Sequence, residues 1–171
     1  MQRSVQRCIA ITLLVAGLAL TLALATGAAA YLAAQRSSPA DIAIVVHSDT
    51  PVTELTIAEV RKIFLGEQQY WSAKLPVVLL IRAPAARERD VVLRVIYEMT
   101  EAQFKRYWIA KIFRAEAATA PKTVYSNQMA LKLVTAVPGA IAFVDARDVK
   151  PGVKVLRVDG HKPGEQGYPL R

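Results

Sequence analysis

The segment TIAEVRKIFLGEQQYWSAKLPVVLLIR, residues 56–82, contains the signals of one helix followed by one buried strand. Thr56 and Glu59 have the spacing of a capping box, in which each side chain accepts the other residue's backbone N–H. Gly66 can adopt the left-handed conformation that ends many helices. The apolar run Pro76–Ile81 has no alternation of polar residues, which indicates a strand covered on both faces.

The flanking sequence continues this alternation of strand and helix. Further apolar runs that predict strands occur at Ile42–Val46, Ala140–Val144 and Val153–Val158. Between them, helical spacing is present in Val91–Met99, after a second capping box at Thr100 and Gln103, and after the cap Ser126. This order predicts an α/β fold of right-handed βαβ units. The expected architecture is three-layer, with a mostly parallel sheet and helices on both faces.

The first thirty residues have the organisation of a secretory signal. A short basic segment ends at Arg7, an apolar run extends over residues 9–25, and Ala28 and Ala30 form an Ala-x-Ala cleavage site. The run also approaches the length that spans a bilayer, so an uncleaved anchor is the alternative. Both interpretations export the rest of the chain to the periplasm or another extracytoplasmic space, and neither gives it further contact with the membrane.

The chain is therefore divided into three parts. Residues 1–30 are the predicted signal peptide or membrane anchor, residues 31–40 a polar linker, and residues 41–171 a single domain. About 130 residues are enough to bury a core of their own.

Composition excludes several classes of function. The 22 Lys and Arg residues exceed the 14 Asp and Glu residues, but they are scattered, so nucleic-acid binding is not indicated. The single cysteine, Cys8, lies in the leader, which excludes a disulfide framework or a thiolate nucleophile in the domain. His161 has no companion at metal-ligand spacing, and no cofactor-binding motif is present in the sequence. Adjacent side chains diverge, so His47-Ser48-Asp49 is not a catalytic triad.

Candidate ligand-binding residues follow two of the predicted strands. Ser48 and Thr50 follow the first strand, and Arg82 and Arg87 follow the second. Ligands of parallel α/β sheets bind beyond the carboxyl ends of the strands, and an arginine there suits an oxyanion. An ion pair in a loop would explain Arg82 equally well, and turn or capping roles would explain Ser48 and Thr50.

Several short motifs resemble the phosphate-binding protein family of ABC importers. They are Ile63-Phe64-Leu65-Gly66 with Trp71 shortly after, a strand that ends in Arg82, and Pro138-Gly139-Ala140-Ile141-Ala142-Phe143. The resemblance covers roughly residues 41–158 and the later half of such proteins. It implies a periplasmic-binding-protein-like fold without enzymatic activity or cofactor, with phosphate or another oxyanion as ligand and an ABC permease as partner.

The sequence departs from the family at the loop that holds phosphate. Ala86, Arg87 and Glu88 stand where the family has Ser-Gly-Thr, so the hydroxyl groups are absent. The Glu88 carboxylate would repel an anion unless it points away, and Arg87 is the candidate substitute. Two functions follow: an exported module that binds an oxyanion for transport or sensing, or a ligand-free interaction or structural protein of the cell envelope.

Overall fold

The computed structural model of the protein describes residues 40–72, 74–117 and 119–171. The predicted leader and all of the predicted linker except Ala40 lie outside the described residues. Among those that are described, no helix is long and apolar enough to cross a membrane.

A five-stranded sheet with helices on both faces organises the domain. The strands are β1 (Ile42–His47), β2 (Glu54–Leu55), β3 (Tyr70–Ser72), β4 (Leu75–Pro76), β5 (Val78–Arg82), β6 (Lys122–Val124), β7 (Ala140–Asp145), β8 (Val153–Val155) and β9 (Arg157–Val158). The helices are α1 (Ile57–Phe64), α2 (Arg87–Val92), α3 (Glu101–Phe113) and α4 (Asn127–Ala136). The main sheet has the order β6-β5-β7-β1-β8, and the predicted three-layer α/β class is confirmed.

Strand direction in this sheet is mixed. β5 is parallel to both β6 and β7, whereas β1 is antiparallel to β7 and to β8. Four strands therefore run in one direction and β1 runs in the other. The predicted βαβ pattern does not hold for β1, because β1 is antiparallel to β7 and therefore also to β5. Continuous apolarity reports burial on both faces and carries no information about direction.

Successive side chains of β1 point to opposite faces of the sheet and so belong to two different halves of the core. Ile42, Ile44 and Val46 face the layer formed by α1, α2 and α3. Ala43 and Val45 face the other layer, where α4 packs with Ala130, Leu131 and Val134. All five apolar residues of β1 are fully buried, as their unbroken hydrophobicity predicts.

Both predicted capping boxes are present, and they set the starts of α1 and α3. The Thr56 hydroxyl accepts the Glu59 N–H, and Thr100 and Gln103 have the same reciprocal arrangement. In the last turn of α3, Ile112 is 40% exposed and does not extend the buried face formed by Phe104 and Trp108. The buried residue in that turn is Lys111, whose ammonium donates to the carbonyl of Leu65 at 2.8 Å.

Two predicted elements are each divided. The helix predicted over Val91–Met99 consists of the end of α2 and a π-helical turn, Leu93–Tyr97. The predicted last strand becomes β8 and β9, and β9 pairs with β2 in a separate two-stranded sheet. The tail also packs on the domain, because Tyr168 and Leu170 are buried and hydrogen-bond the backbone of Ile42.

Candidate functional site

Arg82 ends β5 at the edge of the sheet where β5, β6 and β7 all have their carboxyl ends. We call this the C-terminal edge. Ligands of α/β sheets are bound at such edges. Arg82 is only 9% exposed, so its cationic head is held away from bulk water. A buried guanidinium needs anionic or carbonyl partners to offset its desolvation.

The charged partner of the Arg82 guanidinium is the carboxylate of Glu88 in the first turn of α2. Arg82 Nε and Glu88 Oε2 are 3.8 Å apart, which is an ion pair but too long for a hydrogen bond. Arg82 Nη1 donates a long bond of 3.4 Å to the carbonyl of Val124. Within the described part of the chain, the Nε–H of Arg82 has no acceptor. Arg82 is thus a buried cation with unused hydrogen-bonding capacity.

Asn127, the first residue of α4, closes the other side of the Glu88 carboxylate. Its Nδ2 donates to Glu88 Oε1 and to Asp148 Oδ2, both at 2.7 Å. The preceding Ser126 accepts the Met129 N–H at 3.0 Å and is the helix cap. The Glu88 carboxylate therefore lies at the positive end of the α4 dipole as well as beside Arg82.

Arg87 is bound elsewhere on the same edge. Its Nη2 donates to the carbonyl of Ala40 at 2.6 Å and to Asp145 Oδ2 at 3.3 Å. Asp145, the last residue of β7, also receives two bonds from the Arg147 side chain and one from the Arg147 backbone. These bonds, the Arg147 side chain first, hold the pKa of Asp145 at about 2. Arg87 and Arg147 thus share one carboxylate as their anionic partner.

Arg89 contacts the main chain at the end of β5. Its Nη1 donates to the carbonyl of Arg82 at 2.7 Å, and its other nitrogens form a two-bond pair with Glu101 at 2.8 and 3.0 Å. The guanidinium also lies over the Phe104 ring, 4.7 Å from its centroid. The main chain of Arg82 is therefore held by a partly buried ion pair between α2 and α3.

Ser48 and Thr50 do not belong to this edge. Because β1 is antiparallel to β7, its carboxyl end lies beside the first residue of β8, where His47 is paired with Val153. The structure brings Arg82 and Arg87 to one edge and places Ser48 and Thr50 at the opposite one, so a common site for all four is not formed. Thr50 is buried, and its carbonyl accepts a bond from Lys154 at 2.6 Å.

The side chains of His47, Ser48 and Asp49 make local turn contacts. The Ser48 hydroxyl donates to Asp49 Oδ1 at 3.2 Å, and His47 Nδ1 accepts the Asp49 backbone N–H at 3.2 Å. In this arrangement the imidazole accepts from a backbone amide and not from the serine hydroxyl. A serine nucleophile would need to donate its hydroxyl hydrogen to the imidazole that acts as its base.

A sequence profile described as a PBP superfamily domain matches residues 39–162. The chain belongs to the PBP superfamily.

Three solved structures are similar to this chain in fold. An ABC-type phosphate transport receptor from Vibrio cholerae aligns with a TM-score of 0.61 and 19% identity, over 77% of this chain and 53% of that one. PstS from Borrelia burgdorferi aligns with a TM-score of 0.61 and 14% identity, over 77% of this chain and 54% of that one. A putative phosphate ABC transporter substrate-binding protein with bound phosphate from Clostridium perfringens aligns with a TM-score of 0.56 and 20% identity, over 72% of this chain and 46% of that one. The chain thus spans about half the length of these proteins.

At the C-terminal edge of this member of the PBP superfamily lie three residues that are not among the predicted ligand-binding residues. The sequence predicts that Glu88 repels an anion unless it points away, and the structure buries its side chain beside Arg82. The other two, Asn127 and Asp145, are not predicted from the sequence. A signal existed for Asp145, because a carboxylate directly after the apolar run Ala140–Val144 is a strand-end residue like Arg82. Asn127 follows the cap Ser126 and could be found only by knowing that α4 begins next to β5.

Proposed function

We propose that this chain is an exported, non-enzymatic binding module that takes phosphate or a related oxyanion at Arg82. The observation that carries the proposal is the buried guanidinium of Arg82, whose Nε–H has no acceptor among the described residues. A buried donor on a cation calls for an acceptor, and the oxygens of an oxyanion supply several.

The other guanidinium groups of the edge favour Arg82 as the binding residue. Arg87 and Arg147 share Asp145, and Arg89 is saturated by Glu101, the Arg82 carbonyl and an aromatic face. An incoming anion would have to break hydrogen bonds at Arg89, and at Arg87 or Arg147 it would have to approach beside the Asp145 carboxylate, which repels it. At Arg82 it would form bonds that the protein itself does not supply.

The fold is consistent with such a role. Two proteins that share it are described as an ABC-type phosphate transport receptor and as a putative phosphate ABC transporter substrate-binding protein, and the structure of the second contains bound phosphate. We extend this to the present chain as a proposal, with an ABC permease as the expected partner of the loaded state.

The test is thermal unfolding of the purified protein with and without inorganic phosphate. Ligand at about 100 times its dissociation constant stabilises the folded state by about 2.7 kcal/mol, which raises Tm by several degrees. Sulfate and chloride at matched ionic strength separate specific binding from general salt effects. A phosphate-selective rise is the expected result.

Two variants locate the site. Arg82→Ala should abolish the phosphate-selective rise in Tm, and Arg106→Ala, which removes an exposed arginine of α3, should leave it unchanged. A rise that survives in Arg82→Ala, or no rise in the wild-type protein, would refute oxyanion binding at Arg82.

Export is the second part of the proposal. The order of a basic segment, the apolar run of residues 9–25 and an Ala-x-Ala site supports a signal peptide. The mass of the protein recovered from the cell envelope should correspond to a chain that begins at Tyr31. A full-length mass, together with retention in the membrane after alkaline washing, would support an anchor instead.

An interaction protein of the envelope is the second candidate function, and an exposed apolar patch on α3 favours it. Ile109, Ile112 and Phe113 share one face of the helix and are 55%, 40% and 86% exposed. A photo-crosslinking residue at position 113 should then give a discrete adduct with an envelope protein in intact cells. The adduct should disappear with Ile109→Asp and persist with Arg82→Ala, whereas no discrete adduct would count against this function.

A further inference from the structure

We infer that Glu88 is a resident anion of the Arg82 site, so that its carboxylate competes with any oxyanion from solution and sets the affinity of the site. The inference rests on the proposed role of Arg82 as the anion-binding side chain. It adds to that role the residue of this chain that opposes binding.

The position of the Glu88 side chain is unusual for its place in a helix. A glutamate in the first turn of a helix is favourable near the positive end of the dipole and usually stays in water. Here the side chain is 11% exposed, the same fraction as that of Arg82. Burying a carboxylate is unfavourable unless it is paired and hydrogen-bonded, so its partners decide whether it stays.

Those partners are the groups that would hold a small oxyanion. One oxygen, Oε2, faces Arg82 Nε at 3.8 Å, and the other, Oε1, accepts from the Asn127 amide at 2.7 Å. The first turn of α4, which begins at Asn127, adds a partial positive charge on the same side. A guanidinium, an amide donor and a helix start thus converge on one carboxylate that belongs to the protein.

The fit of this carboxylate is incomplete. The carboxylate accepts the Asn127 amide at 2.7 Å, but the 3.8 Å separation on its other side leaves the Arg82 Nε–H without an acceptor among the residues described. The glutamate, tethered to α2, is hydrogen-bonded on the Asn127 side only. A free tetrahedral oxyanion is not tethered and has more oxygens, one of which could accept the Arg82 Nε–H.

Removal of the resident anion should therefore create a stronger site. In Glu88→Ala, Arg82 becomes a buried cation without its counter-ion, and the space of the carboxylate is vacated. An uncompensated buried charge is strongly unfavourable, so an anion from solution gains the interaction that Glu88 gave up. Glu88→Gln removes the charge but keeps the space filled, which separates charge from occupancy.

The experiment is titration calorimetry of inorganic phosphate at neutral pH into the wild-type protein and four variants. Glu88→Ala should bind phosphate about tenfold more tightly than wild type, or better, and Glu88→Gln should gain less. Asp90→Ala removes an exposed carboxylate from the same helix and should behave like wild type. The double variant Arg82→Ala, Glu88→Ala should lose the gain.

Three results would overturn the inference. They are an affinity of folded Glu88→Ala equal to that of wild type, a gain in Asp90→Ala as large as that in Glu88→Ala, and a gain that survives without Arg82. If Glu88→Ala is unfolded in buffer, its Tm is measured at increasing concentrations of phosphate or acetate. A rise in Tm then reports anion binding, because an anion that fills the site stabilises the folded state. A variant that neither anion stabilises would also refute the resident role.

The same experiment distinguishes a failure of the proposed function from a failure of the inference about Glu88. Tight binding by Glu88→Ala with none by the wild-type protein would support the resident anion and refute phosphate binding by the natural chain. Binding by the wild-type protein that Glu88→Ala does not improve would support the proposed function and refute the resident anion.

Discussion

Arg89 and Glu101 form a two-bond ion pair, with nitrogen to oxygen distances of 2.8 and 3.0 Å, that joins α2 to α3. The arginine side chain is 5% exposed and the glutamate side chain 33% exposed. The same guanidinium holds the Arg82 carbonyl at 2.7 Å, so this pair fixes the end of β5 on which the candidate site is built.

Loss of this cation should be costly. Arg89→Ala leaves a partly buried carboxylate and an unpaired strand-end carbonyl, and we expect the free energy of unfolding to fall by about 3 kcal/mol. Lys105→Ala is the matched control, because Lys105 approaches the same Glu101 at 3.9 Å while 64% exposed. Its expected effect is below about 0.5 kcal/mol. Urea unfolding of both variants checks this, and effects of equal size would contradict it.

Gly139 should tolerate no side chain. Its φ of +77° is unfavourable for other residues, and a Cβ there would lie 2.1 Å from the carbonyl oxygen of Pro76. Its own carbonyl also accepts the Trp71 indole N–H at 2.8 Å and the Val78 N–H at 3.0 Å. We expect Gly139→Ala to lower the free energy of unfolding by about 3 kcal/mol or more.

The control for this prediction is Gly164→Ala. Gly164 has a φ of +92°, but a Cβ added there meets no heavy atom within 4 Å. It should therefore show only the cost of the backbone conformation, about 1–2 kcal/mol. Urea unfolding that gave the two variants the same stability would refute a steric role for the Pro76 carbonyl.

The parts of the fold that could be predicted from the sequence are those set by neighbouring residues. The capping boxes at Thr56 and Thr100, the cap at Ser126 and the burial of β1 each depend on residues a few positions apart. The direction of β1 depends on its pairing with β7, about a hundred residues away, and the apolar run does not encode it. Ser48 and Thr50 were misplaced for that reason.

Only some residues of the candidate site have a signal in the sequence. Arg82 could be found because a charged residue that ends a continuous apolar run lies at the edge of a sheet. Glu88 could be recognised as a departure from the family pattern, but its burial depends on Asn127, which α4 brings next to α2. Such a contact between distant segments has no local signal in a single sequence.

The capping box of α3 should contribute measurably to stability. The Thr100 hydroxyl accepts the Gln103 N–H at 3.3 Å, and the Gln103 side chain accepts the Thr100 N–H at 2.8 Å. Thr100→Ala leaves one helix N–H without its acceptor and should cost about 1 kcal/mol. Thr100→Ser keeps the hydroxyl and should stay within about 0.5 kcal/mol of wild type. Urea unfolding that ranks the two variants equally would argue against the box.

The shared carboxylate of Asp145 should make stability depend on acid pH. Hydrogen bonds from Arg147 lower the pKa of Asp145 from 3.8 to about 2 in the folded protein. A lowered pKa means that the ionised form stabilises the fold at pH values above the ordinary one. That stabilisation is lost as the pH falls through the folded value, between about pH 4 and pH 2.

The size of this stabilisation depends on how exposed Asp145 and Arg147 are. The Asp145 side chain is 8% exposed, but that of Arg147 is 66% exposed and is screened by solvent, so we expect about 1–2 kcal/mol. Asp145→Asn should be less stable than wild type by this amount at pH 6, and the difference should shrink towards zero at pH 2. Urea unfolding at pH 6, 4, 3 and 2 gives the comparison, and Asp90→Asn controls for the change in net charge. A difference that stays constant or grows as the pH falls would show that Asp145 stabilises the fold through packing and not through its charge.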